Sequence, residues 1–213
     1  VSTVDAAGNA SSTTFPFRVD TTATLGVNMV AGDDVVNALE NGGRITVTGT
    51  AEPGSTNVMV SWNGTTLPAT VDPTTGNWQV KFPANLFGDI QSTQTAISVT
   101  ATDSAGNDAS ATRNVRVDTL AEVDVSNGQI GGDDRMTASE ASGFNLTGTS
   151  DPRASVTVTF EGQTVTVRAD ADGNWTAPFG FGSFGKVTRD GLVQVSATDA
   201  AGNTATTSHT IHI

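Results

Sequence analysis

Three features of the sequence together predict an all-β fold of tandem immunoglobulin-like antiparallel sandwiches held without disulfides. They are an internal repeat, apolar residues alternating at period two, and the complete absence of cysteine. The repeat comes first, because a fixed period sets the architecture before any single motif is weighed. Asp-Ala-Ala-Gly-Asn at 5–9 returns as Asp-Ser-Ala-Gly-Asn at 103–107 and as Asp-Ala-Ala-Gly-Asn at 199–203, spacings of 98 and 96 residues. Other landmarks keep the same phase. Val-Asp-Thr recurs at 19–21 and 117–119, Gly-Asp-Asp at 32–34 and 132–134, Thr-Gly-Thr at 48–50 and 147–149, and Gly-Asn-Trp at 76–78 and 173–175; Glu40 returns at Glu140.

Within each repeat, segments 44–50, 58–62, 78–82 and 96–102 place apolar residues on one face and Thr, Ser, Gln or Lys on the other. That is the pattern of half-buried strands. Asn63-Gly64, Asp72-Pro73 and Ala105-Gly106-Asn107 separate them with turn chemistry. About seven short strands in some 98 residues match an immunoglobulin-like sandwich. With no cysteine, packing alone must hold the sheets, and Trp78 and Trp175 are expected in those cores. The predicted units are residues 20–117 and 118–213, with 1–19 supplying the last two strands of a preceding repeat. No signal peptide opens the chain, so the sequence reads as starting inside a longer protein.

The chain has 213 residues, 36% of them hydrophobic, which suits two cores of about a hundred residues each better than one large one. Twenty-two acids against ten bases give a net charge of −12, which disfavours nucleic acid and anionic membrane surfaces as partners. The charge is spread as −1, −5 and −6 over residues 1–20, 21–118 and 119–213, so it follows the repeats and forms no acidic tail. No window approaches the run of about 18 apolar residues needed to cross a membrane as a helix. A cysteine-free, β-rich acidic repeat points to an exported chain.

Sandwich topology converts the acids into geometry. If the chain enters each sandwich at one pole and leaves at the other, the loop between the first two strands lies at the downstream pole and the last hairpin turn at the upstream one. Asp33, Asp34 and Glu40 then sit at the bottom of the first full repeat beside the linker residue Asp118. Asp199 and Asn203 sit at the top of the next, with Asp151 close by. The same reading places Asp20 and Asp103, with Glu52, at the junction above, and turns Asp133, Asp134 and Glu140 toward a following repeat. Carboxylates crowded at a seam repel one another, and a hard divalent cation with oxygen ligands relieves that repulsion. Calcium suits an irregular shell of carboxylates and carbonyls better than magnesium, and zinc is unsuited. The alternative for each Asp-x-Ala-Gly-Asn is a tight turn alone, with the acid capping backbone N–H groups and Gly106 or Gly202 at positive φ. Both readings stand at this level.

Val-Asp-Thr-Thr at 19–22, Gly-Asp-Asp-Val-Val-Asn-Ala-Leu-Glu at 32–40, the Thr-Gly-Thr strand, Gly-Asn-Trp at 76–78 and Asp-Ser-Ala-Gly-Asn at 103–107 resemble the bacterial Ig-like repeats of giant biofilm-associated and RTX-type adhesins. The resemblance covers the whole chain. It implies type I secretion, a bacterial cell-surface location, and a structural extender that holds a distal binding domain away from the cell, stiffened by Ca²⁺ at its junctions. Neighbouring repeats of the same chain are then the partners, with no small-molecule substrate. The second repeat departs from the pattern at Arg135–Ser139, where Thr137 replaces Asn37.

No catalytic constellation is present, and no enzyme is expected. Gly180–Gly185 spells Gly-x-Gly-x-x-Gly but opens no helix, so it lacks the geometry of a phosphate cradle. His209 and His212 fall on opposite faces of a strand and cannot share an ion. The competing expectation is a glycan- or protein-binding Ig-like module of a surface protein or extracellular hydrolase, with Trp62 and the Gly-Phe loop at 180–185 as its binding surface.

Overall fold

The computed structural model describes residues 1–182, 184 and 187–213. It opens with a free-standing hairpin of β1 (Ser2–Val4) and β2 (Ala10–Ser12), joined by the 5–9 turn. Both strands are exposed throughout, and none of the described residues covers either face. Phe15, Phe17 and Val19, which follow, are 86%, 81% and 70% exposed.

The first sandwich places β3 (Leu25–Val27), β5 (Ile45–Ala51), β9 (Asn77–Phe82) and β8 (Thr70–Val71) in one sheet, in the order β3-β5-β9-β8. The other sheet runs β4-β11-β10-β6-β7, from β4 (Val35–Val36), β11 (Asp108–Val117), β10 (Thr93–Thr102), β6 (Thr56–Trp62) and β7 (Thr65–Pro68). Period-two alternation does what the sequence suggests. Ile45 and Val47 from β5, Trp78, Val80 and Phe82 from β9, Val58 and Val60 from β6, and Ile97 and Val99 from β10 meet between the sheets. Each such side chain contributes about 1.5–3 kcal/mol by leaving water.

One pairing departs from the all-antiparallel expectation. After β3 the chain leaves its sheet through a turn in which Ala31, Gly32 and Asp34 have φ of 58°, 102° and 62°, and it joins the opposite sheet as β4, parallel to β11. The short helix α1 (Ala38–Asn41) follows directly. This crossing brings the 28–41 segment to the bottom of the sandwich.

Trp62 is corrected by the structure. It is 1% exposed, packs edge-on against Phe82 and Phe87 at centroid distances of 5.6 and 5.1 Å, and donates its indole N–H to Thr95 Oγ1 at 3.0 Å. Trp62 continues the inward-facing series Val58, Val60, so strand phase sends it into the core.

The second sandwich repeats the plan. One sheet is β12 (Val123–Val125), β13 (Phe144–Ser150) and β16 (Asn174–Phe179), in that order. The other runs β15-β14-β17-β18, from β14 (Ser155–Phe160), β15 (Gln163–Arg168), β17 (Asp190–Thr198) and β18 (Thr204–His212). A 3-10 turn, Glu140–Ser142, stands where the first sandwich has α1, and a single parallel bridge, Arg135 to His212, stands where it has β4. Phe144, Phe160, Phe179 and Phe181 form an aromatic group on this core. Ser183 and Gly185 of the Gly-Phe loop lie outside the described residues.

Candidate functional site at the seam between the sandwiches

The seam is built from three short segments, and turn chemistry explains the first. Asp199 Oδ1 accepts the N–H groups of Ala201 and Asn203 at 2.8 and 2.9 Å, and Oδ2 accepts Asn203 Nδ2 at 2.7 Å. Gly202, at φ 88°, lets the chain reverse. Asp103 with Ala105 and Asn107, and Asp5 with Ala7 and Asn9, make the same three bonds. At Asp103 the bond from the Asn107 side chain, aided by backbone N–H groups and opposed by burial, holds the carboxyl below its ordinary value. The turn role therefore belongs to every copy. A carboxylate offers about four lone-pair sites, so three such bonds leave one on Oδ2.

The linker is the second segment. Asp118 is 7% exposed, and its N–H donates to the Val36 carbonyl at 2.9 Å, extending the β4 pairing past the end of the sandwich. Burial raises its pKa above the ordinary carboxylate value; Asp199 and, more weakly, Asp151 add to the rise, while Arg116, 3.3 Å away, opposes it. Thr119 fixes the linker from the other side. Its hydroxyl donates to the Gly88 carbonyl at 2.7 Å and accepts the Ile90 N–H at 2.9 Å.

The third segment is the N-terminus of α1, where Asn37 and Glu40 form a capping box. Asn37 Oδ1 accepts the Glu40 N–H at 3.0 Å, and Glu40 Oε2 accepts the Asn37 N–H at 3.1 Å. Asn37 Nδ2 crosses the seam to the Ala201 carbonyl at 3.2 Å, and the Ala38 N–H crosses it to Asn203 Oδ1 at 2.8 Å. Asn203 in turn donates Nδ2 to the Asp118 carbonyl at 2.8 Å. Asp118, Asp199 and Asn203, 85 residues apart at the extremes, thus meet at one point.

A cavity of about 480 Å³ opens beside them, bordered by Arg116, Asp118, Glu122, Asp151 and Asp199. Asp151 is already engaged there, accepting Gln91 Nε2 at 2.7 Å and the Glu122 N–H at 2.8 Å. The remaining acids lie apart. Asp33 accepts the Val35 N–H at 2.9 Å within its own turn. Asp34 accepts the Val30 N–H at 3.0 Å and pairs with Arg113. At the upper seam Asn107 Nδ2 reaches the Asp20 carbonyl at 3.2 Å, and Arg18 lies 3.4 Å from the Asp20 carboxylate. Asp133 accepts the Arg135 N–H, Asp134 pairs with His209 at 3.0 Å, and Glu140 accepts the Thr137 N–H and hydroxyl at the lower end of the second sandwich. Among the described residues, no three His, Asp or Glu side chains stand close enough to hold a metal ion together.

Sequence reasoning missed Thr119, Gln91 and the Ala38 N–H, and it singled out Asn37 without the bond that Asn37 makes across the seam. The repeated Val-Asp-Thr was a signal for Thr119. Nothing in the sequence announces a backbone donor.

Among solved structures, the chain is similar to a Ca²⁺-stabilized adhesin that helps an Antarctic bacterium reach out and bind ice. The identity is 31%, covering 99% of this chain and 54% of that one, with a TM-score of 0.51. It is also similar to a 1.5-MDa bacterial ice-binding adhesin studied for host cell surface retention, at 31% identity, 99% and 71% coverage, and a TM-score of 0.56. The chain thus spans about half the length of the first of these structures. No protein-family profile and no curated protein matches the sequence.

Proposed function

Because the chain belongs to the Ig-like tandem repeats of large bacterial adhesins, we propose that it is an extender segment, exported to the cell surface, that carries a distal binding region outward and does no catalysis. Its units are residues 20–117 and 118–213, with 1–19 as the closing strands of a preceding repeat. Residues 1–19 leave Phe15, Phe17 and Val19 exposed, with no core among the described residues to receive them, which supports the assignment.

The observation that carries the reading is the meeting of Asp118 and Asp199 at Asn203, in a seam where burial and like charge both raise the Asp118 pKa. A cation is the direct remedy. The donors fit calcium in kind, being carboxylates and carbonyls, although as folded here they do not form a closed shell. Asp118 and Asp199 would be the first ligands of an ion in the cavity, with Asp151 and Glu122 on its border, and these carboxylates would have to draw closer together to share it. Asp20 and Asp103 would serve the upper seam. Asp33 and Glu40 each have one carboxylate oxygen with no hydrogen bond among the described residues, and these reach the ion only through movement of the α1 loop; Asp34 serves the fold through Arg113. Bound Ca²⁺ supplies the positive charge that offsets the carboxylates. The chain's own residues set the hinge: Asp118 anchors the linker to β4, Thr119 to the 88–90 loop, and Asn203 joins linker, turn and helix.

A rod of such repeats advances roughly 40 Å per unit, from strands of about seven to nine residues plus loops. Small-angle scattering in Ca²⁺ and in EDTA tests the reading. The maximum dimension is expected to be longer, and the distance distribution narrower, in Ca²⁺; identical curves would sink it. The ligand-binding alternative loses its main surface feature with Trp62 in the core.

A further inference from the structure

The geometry points to Asn203 as the clasp of the joint: its carboxamide recognises the lower pole of the preceding repeat and fixes how the two repeats are oriented, with or without a cation. The inference rests on the two-repeat reading above but not on calcium. Asn203 is 6% exposed, and every polar atom of its side chain is used. Nδ2 donates to Asp199 Oδ2 at 2.7 Å inside its own turn and to the Asp118 carbonyl at 2.8 Å in the linker, while Oδ1 accepts the Ala38 N–H at 2.8 Å from the other repeat. Asn37 adds a parallel bond, Nδ2 to the Ala201 carbonyl at 3.2 Å. A buried polar group that is fully satisfied in only one arrangement selects that arrangement.

The chemistry requires an amide at this position. An aspartate would lose both donated bonds and add a negative charge beside Asp118 and Asp199, and a serine is too short to reach three segments. The upper seam gives an independent check. Residues 1–19 contain no counterpart of the Asn37-Ala38 segment, and Asn107 makes the turn and linker bonds, to Asp103 and the Asp20 carbonyl. The linker bond is thus common to both seams, and at the lower seam the Ala38 N–H adds a third partner.

Ala38→Pro isolates the clasp. Ala38 is the first residue of α1, where proline is favoured and the missing N–H costs the helix nothing. Asn37 before it is already extended, at φ −92° and ψ 178°, as a residue preceding proline must be. Asn37→Ser keeps a capping oxygen but removes the bond to Ala201. Residual dipolar couplings of the whole chain in EDTA report whether the repeats align as one body. The double variant is expected to lower the closed-to-open ratio by roughly tenfold, equivalent to about 1.4 kcal/mol, with the thermal midpoints of both repeats unchanged. Asn37→Ser alone should move it in the same direction by less, which keeps the test open if proline disturbs the first repeat. Variant repeats that stay aligned like wild type, or wild-type repeats that align independently in EDTA, would overturn the clasp. Wild-type alignment that does not respond to added Ca²⁺ would overturn the cation reading and leave the clasp standing.

Discussion

Gly49 and Trp78 face one another across β5 and β9, and a Cβ on the glycine would overlap the indole ring and the Gly26 carbonyl. Gly148 and Trp175 repeat the arrangement, with the Asp124 carbonyl in place of Gly26. The two most regular motifs of the sequence, Thr-Gly-Thr and Gly-Asn-Trp, are therefore the two halves of one contact. Gly49→Ala forces the ring or the β3 backbone to move, and overpacking of that kind costs about 1–3 kcal/mol. Urea denaturation of the whole chain should show the first repeat unfolding earlier by that amount, with the second unchanged. Gly148→Ala should give the converse. An unshifted midpoint would mean that the indole has room to yield.

The two tryptophans differ at one atom. Trp175 Nε1 donates to the Thr149 carbonyl at 3.1 Å, whereas Trp78 Nε1 is buried with no hydrogen-bond partner among the described residues. Both Phe replacements lose ring volume, but only Trp175→Phe also strands a carbonyl that the indole had satisfied. Trp175→Phe is expected to cost about 1 kcal/mol more than Trp78→Phe, measured in each repeat by the same denaturation. Equal losses would show that the Thr149 carbonyl finds water.

The Arg113 guanidinium grips Asp34, with Nε 2.6 Å from Oδ1 and Nη1 3.2 Å from the Val27 carbonyl, and so ties the 28–34 crossing to β11. The bond from Arg113 holds the Asp34 carboxyl below its ordinary value, against an opposing push from burial. A depressed folded pKa stabilises the fold fully above the ordinary value of 3.8, and the contribution disappears as pH falls through the folded value. Arg113→Ala should therefore lower the first repeat's midpoint at pH 7 by a few degrees and flatten its acid dependence below pH 4. An unchanged acid profile would contradict the assignment.

The parts of this architecture that were legible in the sequence are those encoded by period and by local turn chemistry. Alternation located β5, β6, β9 and β10, and Asp-x-Ala-Gly-Asn located the turns at Gly106 and Gly202, both of which have positive φ. Topology carried the reading one step further, bringing Asp118 to Asp199 across 81 positions. It stopped at side-chain partnership. The Arg113 pairing with Asp34 depends on β4 crossing between sheets, and that crossing rests on positive φ at Ala31 and Asp34, which residue type does not announce. Trp62 was misplaced because it ends its strand beside Asn63-Gly64 and resembles a loop aromatic, although strand phase puts it inside. Asn203 was visible as an oxygen donor to a metal; the bonds that its amide makes across the seam depend on a backbone N–H from the other repeat.

Asp118 gives a test in which charge and cation pull in opposite directions. Its folded pKa is raised, chiefly by burial and then by Asp199, so the ionised form is a cost that builds as pH rises from the ordinary value of 3.8 to the raised folded value, stays constant above it and is absent below the ordinary value. Asp118→Asn keeps the backbone bond to Val36 and removes the charge. In EDTA at pH 7 the variant should be more stable than wild type, because it carries no buried charge beside Asp199. In Ca²⁺ the order should reverse. Wild type would gain about 2.7 kcal/mol at a hundred times its dissociation constant, while the variant, short of one ligand, gains much less. Scanning calorimetry in both buffers decides it. A variant less stable than wild type in EDTA would mean that the Arg116 interaction outweighs the repulsion, and an equal Ca²⁺ gain in both proteins would move the ion away from Asp118.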